Sequence, residues 1–134
     1  MKLKMIMMLG VHKILLILVF IFFSLSSFSK PIQRQIAEIK ILDKITAKVK
    51  TYEIKINNFI QTDSIKIEIY ACYTNPSEEI PEDYVLLKVF DYMNLEGDKL
   101  IYQGWMISSS PSSTPLEHPI YDLWLKDCKI DIDS

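Results

Sequence analysis

Apolar and polar residues alternate along most of the chain beyond residue 30, which is the pattern of half-buried β-strands. The clearest run, residues 65–73 (IKIEIYACY), predicts a strand whose core face carries three isoleucines and Ala71. A second run, residues 45–56 (ITAKVKTYEIKI), predicts a strand with lysines on one face. Its opposite face begins with three apolar residues: Ile45, Ala47 and Val49.

The second half of the chain predicts a hairpin and a last strand. Residues 84–91 (YVLLKVFD) are nearly all apolar, as in a strand near the centre of a fold, and a turn around Gly97 precedes a return strand at residues 100–107. The last predicted strand spans residues 120–129 (IYDLWLKDCK). Strict alternation along it puts Cys128 on the face opposite its two leucines.

The first segment after residue 30 fits either a short helix that opens at Pro31 or a strand, and we predict a strand from about Ala37 onward. Two proline-containing segments, residues 74–83 and 108–119, are predicted to be loops because prolines interrupt strand pairing. About seven short strands without a long helix predict an all-β domain over residues 30–134. We expect a small, mainly antiparallel β-sandwich or barrel.

Residues 1–29 have the layout of a secretory signal peptide, with a basic start, an apolar run and small residues at the end. The apolar run, residues 14–23 (ILLILVFIFF), is shorter than the roughly 20 residues of a membrane-spanning helix. The small residues predict cleavage after Ser26 or Ser29, and therefore a periplasmic or exported protein. The alternative is an uncleaved helix that anchors the protein to the inner membrane, which carries Lys13 into the bilayer at a cost of ~3 kcal/mol.

Removal of the leader changes the charge of the protein. Of 15 basic residues, three lysines leave with residues 1–29, so 12 remain against 17 acidic residues and the net charge becomes −5. An acidic domain is not the footprint of a nucleic-acid binder. The chain has three widely separated glycines and two histidines, which excludes glycine-rich nucleotide loops and histidine-based metal motifs. We therefore predict no cofactor and no metal.

Both cysteines, Cys72 and Cys128, lie beyond the leader. In an exported chain an even pair most simply forms a disulfide, and closing a loop of this length stabilises a fold by about 4 kcal/mol in the chain-entropy treatment. A redox or nucleophilic pair is the alternative, but neither cysteine has neighbours in sequence that would stabilise a thiolate. A structural disulfide is the prediction.

The densest polar cluster in the sequence consists of Glu117, His118, Tyr121 and Asp122. In a functional interpretation His118 is a base or ligand that Glu117 or Asp122 orients, and a hydrolase would use Ser109 or Ser110 as nucleophile. No glycines flank those serines as in a nucleophile elbow. In a structural interpretation the polar side chains instead bind loop backbone that has no other partner. We favour the structural interpretation and assign no catalytic residue.

Trp105 and Trp124 are further candidates for binding. Exposed aromatic side chains on a β surface can stack on sugar rings or hold an apolar peptide. The competing interpretation is core packing. Because the two tryptophans lie on adjacent predicted strands of a small domain, we expect at least one of them in the core.

Residues 104–129 (GWMISSSPSSTPLEHPIYDLWLKDCK) resemble the DUF2155 family, short exported bacterial proteins of unknown function. The family pattern runs Gly-Trp-Met, Ser-Ser-Pro, Leu-Glu-His-Pro-x-Tyr-Asp-x-Trp and a following Cys. Residues 42–54 and 71–83 are also similar to family segments, so the likeness covers the predicted domain. One departure is Pro115, which argues against the short helix that family members favour there. The resemblance implies an envelope location and a disulfide, and it implies no activity.

These observations together predict a non-catalytic binding or scaffold module of the bacterial envelope. Its partner would be an envelope protein or cell-wall material, held by residues 108–122 and the neighbouring tryptophans. Two alternatives stay open at this point: a small hydrolase centred on His118, and an accessory domain with a purely structural role.

Overall fold

A computed structural model describes residues 11–19, 29–62, 64–93 and 97–132. Residues 11–19 are α-helical, and within the described ranges no helix combines the length and the apolar character needed to cross a membrane. Most of the predicted leader, residues 1–10 and 20–28 with the cleavage position after Ser26, lies outside the described residues.

Beyond residue 29 the described residues form eight strands and one 3₁₀ helix, so the chain is all-β in this part as predicted. The elements are β1 (Ile32–Gln33), β2 (Ile36–Asp43), β3 (Lys48–Lys55), β4 (Phe59–Gln61), β5 (Ile65–Thr74), β6 (Asp83–Asp91), β7 (Lys99–Ile107), the 3₁₀ helix (Pro111–Ser113) and β8 (Tyr121–Lys129).

The strands form two antiparallel sheets. The larger has the order β1-β5-β6-β7, with β4 also paired to β5, and the smaller has the order β3-β2-β8. The predicted hairpin is confirmed, because β6 pairs with β7 along its length. Gly97 in its turn has a φ of 99°, a conformation that favours glycine, while residues 94–96 of that turn lie outside the described residues.

The hydrophobic core lies between the two sheets. Its buried side chains come from β2, β3 and β8 of the smaller sheet, from β5, β6 and β7 of the larger one, and from Leu116 in the loop before β8. Ile39, Ile67, Val89 and Leu87 are fully buried. Burial of several such side chains, each worth about 2 kcal/mol, makes this layer the main source of stability.

Two β-bulges turn the cysteines into this core. In the β5–β6 register Tyr70 is skipped, since Ile69 is opposite Leu87 and Ala71 is opposite Leu86. An extra residue reverses the faces that follow it, so Cys72 rather than Ala71 is buried. The predicted core face of this strand is therefore wrong from Ala71 onward.

The second bulge lies in β8, where Lys126 is skipped in the register with β2. Cys128 consequently joins Leu123 and Leu125 on the buried face, against the strict alternation expected from the sequence. Cys72 and Cys128, on opposite sheets, form a disulfide with their Cα atoms 5.8 Å apart. The bond links the two layers across the core.

The strand predicted at residues 45–56 starts later in the structure, and its lysine-bearing face is the one that turns inward. Residues 44–47 form a turn in which Asp43 Oδ1 accepts hydrogen bonds from the backbone N–H groups of Ile45 (2.8 Å) and Thr46 (3.1 Å). The strand therefore begins at Lys48, and Ile45 and Val49 are exposed. The residues of β3 that face inward are Lys48, Lys50, Tyr52 and Ile54, because their cross-strand partners are the inward-facing residues of β2.

Candidate functional site

His118 is buried, with 7% of its surface exposed, in the loop that leads into β8. Its Nδ1 accepts hydrogen bonds from the backbone N–H groups of Ile120 (3.2 Å) and Tyr121 (3.1 Å), which places the ring proton on Nε2. The imidazole also stacks on the Tyr121 ring, with centroids 5.3 Å apart. His118 thus organises the entry into the strand through backbone contacts.

The other residues of the predicted polar cluster do not gather around His118. Glu117 is exposed, and Asp122 lies on the face of β8 opposite Tyr121, beside Leu42. The carboxylate nearest the ring belongs to Asp91, whose Oδ2 lies 3.7 Å from His118 Nε2. Asp91 ends β6, 27 positions away in sequence, and only the tertiary fold brings the two together.

The serines of the 108–113 loop bind a different carboxylate. Glu82 accepts hydrogen bonds from Ser108 Oγ at 2.8 Å, from the Ser109 backbone N–H at 2.9 Å and from Ser109 Oγ. Burial alone raises the pKa of the Glu82 carboxyl, but these hydrogen bonds outweigh it and hold the pKa below its ordinary range. Ser109 is committed to Glu82 rather than to His118, which disfavours a serine–histidine pair.

The two tryptophans lie on different sheets. Trp105 lies on β7 with 45% of its surface exposed, and Trp124 is half-buried on β8 beside Lys40. Trp105 is next to the buried Met106, and Trp124 lies between the buried Leu123 and Leu125. Because side chains alternate along a strand, both tryptophans face away from the core. The expectation that at least one tryptophan packs in the core is wrong, because both occupy the outward positions of the alternation. They form no common surface.

Trp105 instead belongs to an aromatic surface on the outer face of the larger sheet, formed by Pro31, Tyr73, Tyr84 and Trp105. Tyr73 and Tyr84 are direct partners across β5 and β6. The rings of Tyr73 and Trp105 lie 6.0 Å apart at an angle of 43°. These four residues line a shallow concavity of about 380 Å³. Of these four residues only Trp105 could be predicted from the sequence, since its neighbours come from three other segments.

Asp83 and Asp127 form an acidic pair beside the disulfide. Burial raises the pKa of the Asp83 carboxyl, and the nearby negative charge of Asp127 adds to the effect. Asp83 Oδ1 is buried without a hydrogen-bond partner among the described residues. Within those same ranges, no three His, Cys, Asp or Glu side chains are grouped as metal ligands would be.

Comparison with known proteins identifies one family. The profile described as "Uncharacterized protein conserved in bacteria (DUF2155)" matches residues 37–128, from β2 to the second cysteine. A curated relative, an uncharacterized protein of Rickettsia prowazekii (strain Madrid E), is 37% identical over 87 residues. That match covers 65% of this chain and 56% of the relative, so the chain spans little more than half of the relative's length. No solved structure matches the chain significantly.

Proposed function

The chain belongs to the DUF2155 family of uncharacterized bacterial proteins, and from this premise we propose that it is an exported, non-catalytic module that binds an apolar, proline-containing peptide segment of an envelope protein. The observation that carries the proposal is the aromatic surface. A half-exposed tryptophan in a concave apolar patch is the kind of group that anchors protein interfaces.

The chemistry of the aromatic surface favours a peptide over a sugar. Its four side chains offer only two tyrosine hydroxyls and one indole N–H as polar groups, whereas a sugar ring presents hydroxyls on all its edges. Proline-rich segments bind in grooves lined with aromatic rings and lose little conformational entropy in doing so. Tyr73, Tyr84 and Trp105 supply three such rings side by side.

The hydrogen bonds that His118 and Ser109 make within the protein support a binding role rather than a catalytic one. Both acceptor contacts of His118 Nδ1 go to backbone N–H groups, and the Ser109 hydroxyl goes to Glu82. His118 Nδ1 is therefore occupied, and the Ser109 hydroxyl is directed to a carboxylate rather than to the imidazole. Hydrolysis centred on His118 is therefore the less supported alternative.

Two features support export. The first 29 residues have the order of a signal peptide, and the Cys72–Cys128 disulfide is stable only where thiols are oxidised. An oxidising envelope compartment satisfies both.

The test is a binding titration of fluorescently labelled peptides against the purified protein. We expect proline-containing apolar peptides to bind, and Trp105→Ala to weaken binding by about thirtyfold, since a central tryptophan contributes roughly 2 kcal/mol or more. Trp124→Ala is the matched control, because it removes the same side chain from the other sheet, and its affinity should equal that of the wild type.

Two outcomes would overturn this proposal. One is peptide binding that Trp105→Ala leaves unchanged. The other is selective binding of soluble peptidoglycan fragments through Trp105 with no binding of peptides, which would make the module a glycan binder.

A further inference from the structure

The inward face of the smaller sheet changes from apolar to polar along its length. Four cross-strand rows, each taken in the order β3, β2, β8, run from the disulfide end to the open end: Ile54–Ala37–Cys128, Tyr52–Ile39–Leu125, Lys50–Ile41–Leu123 and Lys48–Asp43–Tyr121. The first rows belong to the core, but the last two carry charges. Lysines on an inward face run against the hydrophobic pattern, and such violations concentrate at functional sites.

The polar rows open into a cleft between the sheets. This lysine–tyrosine cleft is lined by Lys48, Lys50, Tyr52 and Tyr121, together with Thr46 and Thr62, and has a volume of about 250 Å³. The two tyrosines are half-buried and pack against the core, whereas the two lysines are exposed at the mouth. His118 supports the cleft from behind, since it stacks on Tyr121 and binds its backbone N–H.

The polar groups of the cleft are largely unsatisfied within the described part of the chain. Lys66, Lys126 and Lys129 each lie within 3 Å of a carboxylate oxygen, as the ion pairs of 2.6, 2.9 and 2.7 Å show. Lys48 and Lys50 have no such partner there within 4.0 Å. The hydroxyls of Tyr52 and Tyr121 likewise make no hydrogen bond to that part of the chain.

Asp43, which also lines the cleft, offsets only one of the two lysine charges, and Lys50 contributes to keeping its carboxyl ionised. Its Oδ1 is occupied by the backbone N–H groups of Ile45 and Thr46. The hydrogen bonds from Thr46 hold the pKa of the Asp43 carboxyl below its ordinary range, so it stays ionised. Two ammonium groups and one carboxylate leave the cleft with a net charge of +1, inside a domain that is acidic as a whole.

We propose that the lysine–tyrosine cleft binds a small ligand that carries a phosphate group. A phosphate presents several acceptor oxygens, which suit two lysine point charges and the hydroxyls of Tyr52 and Tyr121. A phosphate monoester carries a charge of about −1.5 to −2 at pH 7, so it balances both ammonium groups, whereas a carboxylate carries a single negative charge. The volume limits the ligand to the size of a phosphorylated ring. This site lies between the sheets and is independent of the aromatic surface.

The competing explanation is that these lysines protect an edge strand. β3 is an edge of the smaller sheet, and edge lysines discourage pairing between molecules. Edge protection requires only that the lysines be exposed. It does not require a cleft, tyrosine hydroxyls without partners, or affinity for anions. The two explanations therefore predict different results for the same variants.

The experiment is an NMR titration of ¹⁵N-labelled protein, purified in the N-terminal form that the cell produces, with phenyl phosphate, inorganic phosphate and benzoate. We expect phenyl phosphate to bind best and to shift the amide signals of Lys48, Lys50 and Tyr121. Lys48→Gln/Lys50→Gln should weaken its binding by about tenfold, the effect of roughly 1.4 kcal/mol. Lys40→Gln/Lys88→Gln removes the same charge from the outward faces and should change the affinity less than twofold.

If both double variants weakened phenyl phosphate binding equally, the loss would follow from the lower overall positive charge rather than from the cleft. That result would overturn the proposal. Tighter binding of benzoate than of phenyl phosphate would also overturn it. Unchanged phosphate affinity in Lys48→Gln/Lys50→Gln, with increased self-association in gel filtration, would establish edge protection instead. The substituted lysines are exposed in the cleft variant, so its fold should be retained, and circular dichroism checks this in both variants.

Discussion

Single residues in this protein take their roles from the backbone groups and charges around them. The sequence suggested His118 as a candidate base or ligand. In the structure, however, both hydrogen bonds of its Nδ1 come from backbone N–H groups at the start of β8. Glu38 is a buried carboxylate on the outward face of β2 that binds Lys126 at 2.9 Å and Lys129 at 2.7 Å. Asp83 is a partly buried carboxyl beside another carboxyl. Each supports a distinct prediction.

Replacement of His118 by alanine should lower the free energy of unfolding by about 3 kcal/mol, because two backbone donors lose their acceptor and a buried ring is lost. His118→Asn should recover much of this loss, since the amide oxygen can accept where Nδ1 did. Urea denaturation measures both variants. A catalytic or ligand-binding histidine would instead leave stability nearly unchanged in both.

Asp83→Asn should raise the melting temperature at pH 7. Burial holds the pKa of Asp83 above its ordinary range, so the stability that its neutral form contributes is complete below the unfolded pKa and is lost as pH rises through the folded pKa. Asparagine does not ionise and escapes this loss. Thermal melts between pH 3 and pH 8 should show the advantage of the variant shrinking at the acidic end. A pH-independent difference would contradict the interpretation.

Glu38→Gln should behave in the opposite way. Hydrogen bonds from Lys129 and Lys126 hold the pKa of Glu38 below its ordinary range. The contribution of its carboxylate to folding stability is therefore present above the unfolded pKa and is lost as pH falls through the folded pKa. We expect a loss of about 2 kcal/mol at pH 7, typical of charged hydrogen bonds, that disappears in acid. The same melts measure it, and equal losses at pH 3 and pH 7 would rule out the ion pairs as the cause.

At the scale of elements, period-two alternation predicted β5 and β8, the apolar run at residues 84–91 predicted β6, and the turn around Gly97 predicted β7 as its hairpin partner. The alternation failed where the chain departs from a regular strand. β1 and β4 have two and three residues, too few to show a period. A bulge inserts one residue without any compositional signal, so the inward turn of Cys72 and Cys128 could not be read from the pattern.

The candidate site was less predictable than the fold, since its contacts join distant segments. Sequence reasoning identified Trp105, His118 and Tyr121, but the residues around them, Tyr73 and Asp91 among them, come from other strands. The pattern of β3 separated a lysine-bearing face from one that begins with apolar residues, but it did not show which face turns inward. The structure turns the lysine-bearing face inward, where it lines the lysine–tyrosine cleft.

The bulge in β8 yields a prediction about the disulfide. Lys126 is the residue skipped in the pairing with β2, so its deletion should remove the bulge and leave Asp127 opposite Glu38 and Cys128 opposite Ala37. Cys128 then stays on the inward face, and thiol labelling of the denatured protein should detect no free cysteine. Lys126→Ala is the control, because it removes the same ion pair to Glu38 but keeps the residue count, and its cysteines should also remain bonded. Free thiols in the deletion variant alone would contradict the register argument.

At the scale of the whole molecule, the net charge depends on whether the predicted leader is present. The full chain carries a net charge of −2, and the part after residue 29 carries −5. The apolar residues that raise mean hydropathy to +0.15 are concentrated in the first 28 residues. The part after residue 29 is acidic on balance, and the lysine–tyrosine cleft within it carries a local excess of positive charge.

Export should leave a protein that starts at residue 27 or 30 and contains no free thiol. Mass spectrometry of the protein from the periplasmic fraction, with and without reduction, measures both properties. Reduction should lower the free energy of unfolding by about 4 kcal/mol, the value expected for a loop of 56 residues. An intact N-terminus in the membrane fraction would support the anchored alternative.

The order of strands in the smaller sheet has a consequence for the timing of folding. β2 lies between β3, which follows it directly, and β8, which is the last of the described strands. A polypeptide that emerges N-terminus first, from a ribosome or through a membrane pore, cannot complete this sheet until β8 has emerged. Contacts across such a sequence distance form slowly. The topology thus delays the native state until β8 is available to pair with β2.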